Sequence, residues 1–302
     1  MATTFEIALP LGTLNAISAA EDALNLIDDL EAQLTVYRET SEICRINEMA
    51  QQGPVTVEQG LFQLLNRSVK LTTETNGAFD LATGALIKAW GFYRREGRIP
   101  PLKELAAARE VSGMKHVILN DNQTIKFRRP GLELNLGGIG KGYAIDRVVE
   151  LLQSKWGITS ALIHGGGSSA FALGCPPGQP RGWSIALKHP WNEHPSLGTV
   201  YLKDRGLGTS AATFQFFEYN KKKYGHLLDP RTGWPAERTA NATVMAPTAT
   251  EADALSTAFF VLGKQSAIEH CRTRSELAAV ILPDEPDARP TTIGLSPGRY
   301  VP

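Results

Sequence analysis

The chain has 302 residues, a mass of 32.8 kDa, 31 basic against 31 acidic side chains and a pI near 7.0. With 42% apolar and 21% charged residues it has the composition of an ordinary globular protein, long enough to bury a core without disulfides or metal staples. Zero formal charge implies no basic face, so neither a nucleic acid nor an anionic lipid surface is the expected partner.

Ahead of Arg38 the sequence has no lysine or arginine and no central apolar run, which reads as neither a signal nor a transit peptide. No stretch approaches the roughly 18 apolar residues that a membrane span requires. The expected setting is the cytoplasm, or an extracytoplasmic or membrane-associated one if a leader was removed. Residues 3–9 read as a strand. Residues 14–36 read as a helix with Ile17, Ala20, Leu24, Ile27, Leu30 and Leu34 on one apolar stripe. A second helix begins near Ser41 and carries Ile43 and Ile46; a third covers 59–74 and ends where Asn76 and Gly77 break the pattern.

Helical stretches at 83–92 and 102–111 precede strands at 117–120 and 124–128, joined through Asp121 and Asn122. A short β-like run at 132–134 enters a glycine-rich segment, and helical spacing returns over 142–153. Further β-like runs lie around Ala161, Ser184, Val200, Phe214, Val244 and Val280, with a helix at 251–262 between the last two. Proline-rich stretches at 174–182 and 283–297 read as surface loops. This mixed order argues for an α+β fold, helices packed on a mixed, largely antiparallel sheet. With no repeat and no convincing linker, 1–302 reads as a single domain. Cys44, Cys175 and Cys271 have no ligand spacing and read as buried free thiols.

Four segments carry chemistry. Leu136-Gly137-Gly138-Ile139-Gly140-Lys141-Gly142-Tyr143 offers backbone amides, a helix N-terminus and an ammonium to a phosphate. Asn135 and Gly142 depart from a Walker A loop, and Tyr143 breaks the dinucleotide spacing; a plain tight turn is the alternative. In Thr250-Glu251-Ala252-Asp253-Ala254-Leu255-Ser256-Thr257, Asp253 and Thr257 share a helix face and suit a hard cation. The same residues also read as a capping box, with Thr250 at the N-cap and Asp253 at the third helical position. His226-Leu227-Leu228-Asp229-Pro230-Arg231-Thr232-Gly233 is a turn whose histidine is a general base, a phosphate donor or merely a polar loop residue. Gly77-Ala78-Phe79-Asp80 brings an aromatic face and a carboxylate to an irregular segment.

Their order is more specific than any one of them. Tyr37 with Ser41-Glu42-Ile43, then Gly77 to Asp80, Leu136 to Tyr143, Gly208-Thr209-Ser210, His226 to Gly233, Ala246-Pro247-Thr248 and Ala252 to Thr257 resemble the FAD:protein FMN transferases, the ApbE-like family. The resemblance runs from Met1 to about Gly263. It implies a magnesium-dependent flavin transferase that moves FMN from FAD to a threonine hydroxyl of an acceptor protein and releases AMP, in an ApbE-like fold. Gly138 through its carbonyl, Asp253 and Thr257 are the implied Mg2+ ligands, and Lys141 stabilises the charge that develops on the leaving group. Met1, Tyr37, Ala78, Phe79, Asp80, Asn135, Lys141, His226 and Leu227 are implied to contact FAD. His226, Asp253 and Lys141 are the implied catalytic residues, His226 activating the acceptor hydroxyl.

Three departures from the family pattern stand out. Asn135 replaces the usual aspartate, His164-Gly165-Gly166-Gly167-Ser168 stands where Asn-Ala-Gly-Gly-Asp is common, and Ala211-Ala212-Thr213 replaces Gly-Asp-Tyr. They leave two other outcomes to test, an FAD pyrophosphatase yielding FMN and AMP and a silent FAD-binding protein. The expected partners are FAD and an acceptor flavoprotein with a threonine- or serine-containing flavinylation motif.

Overall fold

The computed structural model describes residues 3–190, 196–211, 216–285 and 287–302. The chain divides into two compact units, one of residues 1–31, 139–211 and 238–302, the other of residues 32–138 and 212–237. Among the described residues every strand pairing is antiparallel, which together with the helices gives the α+β class expected from the sequence. Among the described residues no helix is long and apolar enough to cross a membrane.

The first unit is built on a seven-stranded sheet in the order Phe5–Ala8, Ala161–Gly165, Ser169–Leu173, Arg205–Ala211, Thr239–Ala246, Ala278–Pro283, Thr291–Ile293. Its interior strand Thr239–Ala246 is buried at every residue, because both faces are covered. On one face Ile163 and Phe171 pack with Ile145, Val148 and Leu152 of the helix Gly140–Ser154 and with Ala19, Ala23 and Ile27. On the other, Ala172, Leu207 and Val280 meet Leu187, Val200 and Leu202. The last three belong to a small sheet of Trp183–Leu187, Gly198–Leu202 and Tyr300–Val301.

The helix Ala249–Leu262 lies on the strand Arg205–Ala211 backbone to backbone. A Cβ on Gly206 would stand 2.4 Å from the amide nitrogen of Ala249, and one on Gly208 would stand 2.3 Å from the carbonyl oxygen of Ala252. Thr248 caps this helix by accepting the Glu251 N–H at 3.1 Å, and Gly263 ends it with φ +81°.

In the second unit, helices Glu42–Met49, Gln59–Glu74, Gly84–Ala89 and Leu102–Val111 accompany a sheet of Val55–Thr56, Thr124–Phe127 and Val117–Asn120. A hairpin of Phe216–Tyr219 and Lys222–Gly225 adds Phe217 and Tyr224 to a core of Leu86, Trp90, Phe92, Leu105 and Leu228.

Four sequence expectations are corrected. The first helix runs Ala16–Leu34, and its buried stripe is Ala19, Ala23, Ile27, Leu30 and Leu34; Ile17 and Leu24 are exposed. Two alanines in the first turns bring this helix close to its neighbours, where the larger side chains would have held it off. Residues 132–134 are not a strand. Asn47 supplies what a neighbouring strand would, its amide donating to the Leu134 carbonyl at 3.0 Å and its oxygen accepting the Leu134 N–H at 2.8 Å. The 283–297 stretch contains the edge strand Thr291–Ile293, paired with Ala279–Ile281. Cys44 and Cys175 are only half-buried. The run expected around Phe214 lies outside the described residues.

Candidate functional site

In the first unit the site is assembled by two helices and two strands. The helix Gly140–Ser154 approaches Ala249–Leu262 so closely that a Cβ on Gly142 would lie 2.2 Å from the Ala249 carbonyl oxygen, so glycine is required there. Through this contact the Gly142 N–H donates to Asp253 Oδ2 at 3.1 Å. Lys141 Nζ stands 3.5 Å from Asp253 Oδ1, and the Ser169 hydroxyl donates to the same oxygen at 3.2 Å. Asp253 is 3% exposed; a carboxylate so buried is tolerable because an amide, a hydroxyl and an ammonium converge on it. Thr257 lies one turn further on, its hydroxyl 3.2 Å from Ser210 Oγ and 3.4 Å from the Asp253 carbonyl oxygen. Ser210 in turn bonds Ser256 at 2.9 Å.

The capping-box reading of this segment is replaced. Thr248 is the N-cap and Thr250 is inside the helix, while Asp253 turns away from its own helix end toward Lys141, Gly142 and Ser169. Among the described residues no three histidine, cysteine, aspartate or glutamate side chains gather as a metal cage. One carboxylate beside a hydroxyl is nonetheless the all-oxygen, hard donor set that suits magnesium, which keeps several waters and takes its other ligands from substrate phosphates.

Two further residues belong to this constellation and were not singled out by sequence reasoning. Ser169 gave no signal, since it lies 84 residues from the carboxylate it contacts. Asp146 did give one: it follows Gly142 by four residues, on the same helix face. Its carboxylate accepts the N–H groups of Ala249 and Thr250, each at 2.8 Å, and the Thr250 hydroxyl. Burial pushes the Asp146 carboxyl up to about 6, against the pull of those three bonds.

The second unit holds most of the residues expected at a flavin. Ala78 and Phe79 are buried, while the Asp80 carboxylate turns back on the main chain. It takes the Ala82 N–H at 2.7 Å and the Met114 N–H at 2.9 Å, and burial raises its pKa. Asn135 joins this loop, its N–H donating to the Leu81 carbonyl at 2.8 Å and its side-chain oxygen accepting the Gly137 N–H at 2.9 Å. Gly138 ends the first of the unit's two chain segments, next to Ile139, which precedes the helix Gly140–Ser154.

His226 and Leu227, both half-buried, lead into the turn at 228–236. There Asp229 accepts the Arg231 N–H at 2.9 Å and pairs with its guanidinium at 2.8 Å through each carboxylate oxygen. Gly77 lies against this turn, its Cβ position 3.6 Å from Arg231 Cγ, so the Gly77–Asp80 loop and the histidine-bearing turn are neighbours. Tyr37 is 63% exposed, its ring 5.0 Å from that of Tyr93, an open aromatic face. Met1, Ala212 and Thr213 lie outside the described residues.

Against known proteins, the ApbE family model matches residues 1–281. An FAD:protein FMN transferase of Treponema pallidum is 32% identical over 285 residues, covering 89% of this chain and 78% of that protein. One of Salmonella typhimurium is 30% identical over 282 residues, covering 90% and 79%. The crystal structure of the ApbE protein of Thermotoga maritima superposes with a TM-score of 0.84 at 26% identity, over 96% of this chain and 97% of that one. The flavinyl transferase ApbE of Pseudomonas stutzeri gives 0.83 at 25% identity, over 97% and 98%.

Proposed function

We propose, from the premise that this chain belongs to the ApbE family, that it transfers the FMN half of FAD to a threonine hydroxyl of an acceptor protein, with Mg2+, and releases AMP. In this reaction the pyrophosphate P–O bond to AMP breaks, a phosphoester bond to the threonine oxygen forms, and the hydroxyl proton is lost. The observation that carries the reading is the buried Asp253 carboxylate, held by Gly142, Ser169 and Lys141 at the start of the helix Gly140–Ser154.

On this reading Asp253, Thr257 and the Gly138 carbonyl hold the cation, which when bound neutralises charge on the pyrophosphate. Lys141, 3.5 Å from Asp253, and the amides opening its helix bring positive potential to the departing AMP phosphate. Thr257 is kept in place by Ser210. Met1 and, in the second unit, Tyr37, Ala78, Phe79, Asp80, Asn135 and Leu227 are taken to contact FAD, with the open Tyr37 ring offering a stacking face. His226 removes the proton of the acceptor hydroxyl as general base. The reading takes 1–302 as one transferase domain working on a protein substrate.

The test is incubation of the protein with FAD and Mg2+, with and without a domain bearing an Asp-Gly-x-Thr-Gly-Ala segment, followed by intact mass. A gain of one FMN on the acceptor, lost when its threonine is replaced, is the expected result. AMP and free FMN with no mass gain would instead mean a pyrophosphatase, and unchanged bound FAD a binding protein.

A further inference from the structure

Asp146 is a half-buried carboxylate that the chemistry above does not use. It contacts none of the residues taken to hold the cation, yet three donors from the first turn of their helix converge on it, the Ala249 N–H, the Thr250 N–H and the Thr250 hydroxyl. Asp146 sits on the same helix as Lys141 and Gly142. The start of Ala249–Leu262 is also fixed by Arg274, whose Nη2 lies 2.9 Å from the buried Glu251, but that ion pair ties it to the end of the helix that follows. Asp146 ties it to the helix that carries Lys141.

Asp253 follows Thr250 by three residues, less than one helical turn. A change in the pitch or rotation of that first turn therefore moves the Asp253 carboxylate directly, and an error of about 1 Å at a reacting group costs on the order of a hundredfold in rate. We propose that Asp146 is a positioning residue: by clamping the first turn of Ala249–Leu262 onto Gly140–Ser154, it sets where Asp253 and Thr257 stand against Lys141, and so sets the affinity for the divalent cation. The inference rests on the reading that Asp253 and Thr257 hold that cation. A carboxylate that merely capped the helix would contribute to stability and leave the cation affinity of the folded protein unchanged.

The experiment uses the full chain, with Mn2+ as a spectroscopic probe for binding and Mg2+ dependence for turnover, in wild type, Asp253→Ala, Asp146→Asn, Asp146→Glu and Thr250→Val. Asp146→Asn keeps the side-chain shape but presents an amide donor to donors. Its Mn2+ dissociation constant, corrected for folded fraction, is expected to rise about tenfold, as on loss of a residue that orients a metal ligand. The Mg2+ concentration for half-maximal turnover should rise in step, while KM for FAD at saturating Mg2+ stays within about twofold and Asp146→Glu recovers part of the loss. Thr250→Val removes one of the three bonds and should shift binding in the same direction by about threefold, which carries the test if Asp146→Asn does not fold. Wild-type affinity in folded Asp146→Asn, or in Thr250→Val where only that variant folds, would overturn the positioning role. Equal Mn2+ binding by wild type and Asp253→Ala would overturn the cation reading beneath it, a different pattern.

Discussion

The polar side chains singled out in the two units are held differently, although Asp80 also takes the distant Met114 N–H. In the second, Asp80, Asn135 and Asp229 each turn back to accept the N–H two residues further on, from Ala82, Gly137 and Arg231. These are local turns, each of which fixes a loop with its own side chain. In the first, Asp253 and Asp146 accept nothing from residues so near in sequence. Their partners come from other elements, brought within reach because Gly142, Gly206 and Gly208 let backbones touch. A loop that stabilises itself tolerates change around it, whereas a site built by packing depends on distant residues whose own chemistry is plain.

The largest effect should therefore follow loss of Asp253. Asp253→Ala is expected to lower metal-dependent kcat by about a thousandfold, while Asp80→Ala raises KM for FAD and keeps kcat within about tenfold. Steady-state kinetics on the two variants decides it, and equal losses of kcat would erase the contrast.

Next come the glycines. Gly142→Ala places a methyl 2.2 Å from the Ala249 carbonyl and should destabilise by about 3 kcal/mol. Gly77→Ala in the second unit meets nothing nearer than 3.6 Å, although φ is +77°, and should cost about 1 kcal/mol. Urea midpoints compare the two.

The carboxylates differ from ordinary ones in pH dependence. Burial raises Asp146 from 3.8 to about 6, so the folded protein holds a proton that the unfolded chain has released between those values. The associated stability is full below 3.8 and is lost as pH climbs through about 6, by up to roughly 3 kcal/mol. Asp80, also raised by burial, acts with the same sign. Unfolding free energies of wild type and Asp146→Asn between pH 4 and 7 should show the steeper fall in the wild type. The smallest effect is at the surface: Arg231→Lys gives up the two-pronged pair with the Asp229 carboxylate, and at a guanidinium 41% exposed this should cost less than about 1 kcal/mol by thermal denaturation.

The same contrast explains what the sequence could tell. Helices such as Gln59–Glu74 and Leu102–Val111 were legible to the residue, because apolar spacing and breakers act locally. The pairing of Lys141 with Asp253 was implied by the family resemblance, and in the structure their side chains stand 3.5 Å apart. The hidden parts were those decided at long range: Ser169 reaching Asp253, Asn47 acting as a strand for Leu134, and two alanines rather than Ile17 and Leu24 turning the first helix inward. In each the sequence signal was a small polar or apolar residue with many possible fates.

The glycine floor beneath Ala249–Leu262 also sets a timescale. With Ala252, Asp253, Ala254, Leu255 and Ser256 all buried and the strand backbone pressed against them, the middle of this helix is shielded from solvent, and only Thr250, Thr257, Val261 and Leu262 are half-buried. Its amides should exchange hydrogen only when the whole unit unfolds, far more slowly than those around Asp80 and Asp229. The carboxylate and hydroxyl it carries then persist in register for the lifetime of the folded state, so ligands could come and go without this helix having to be rebuilt each time.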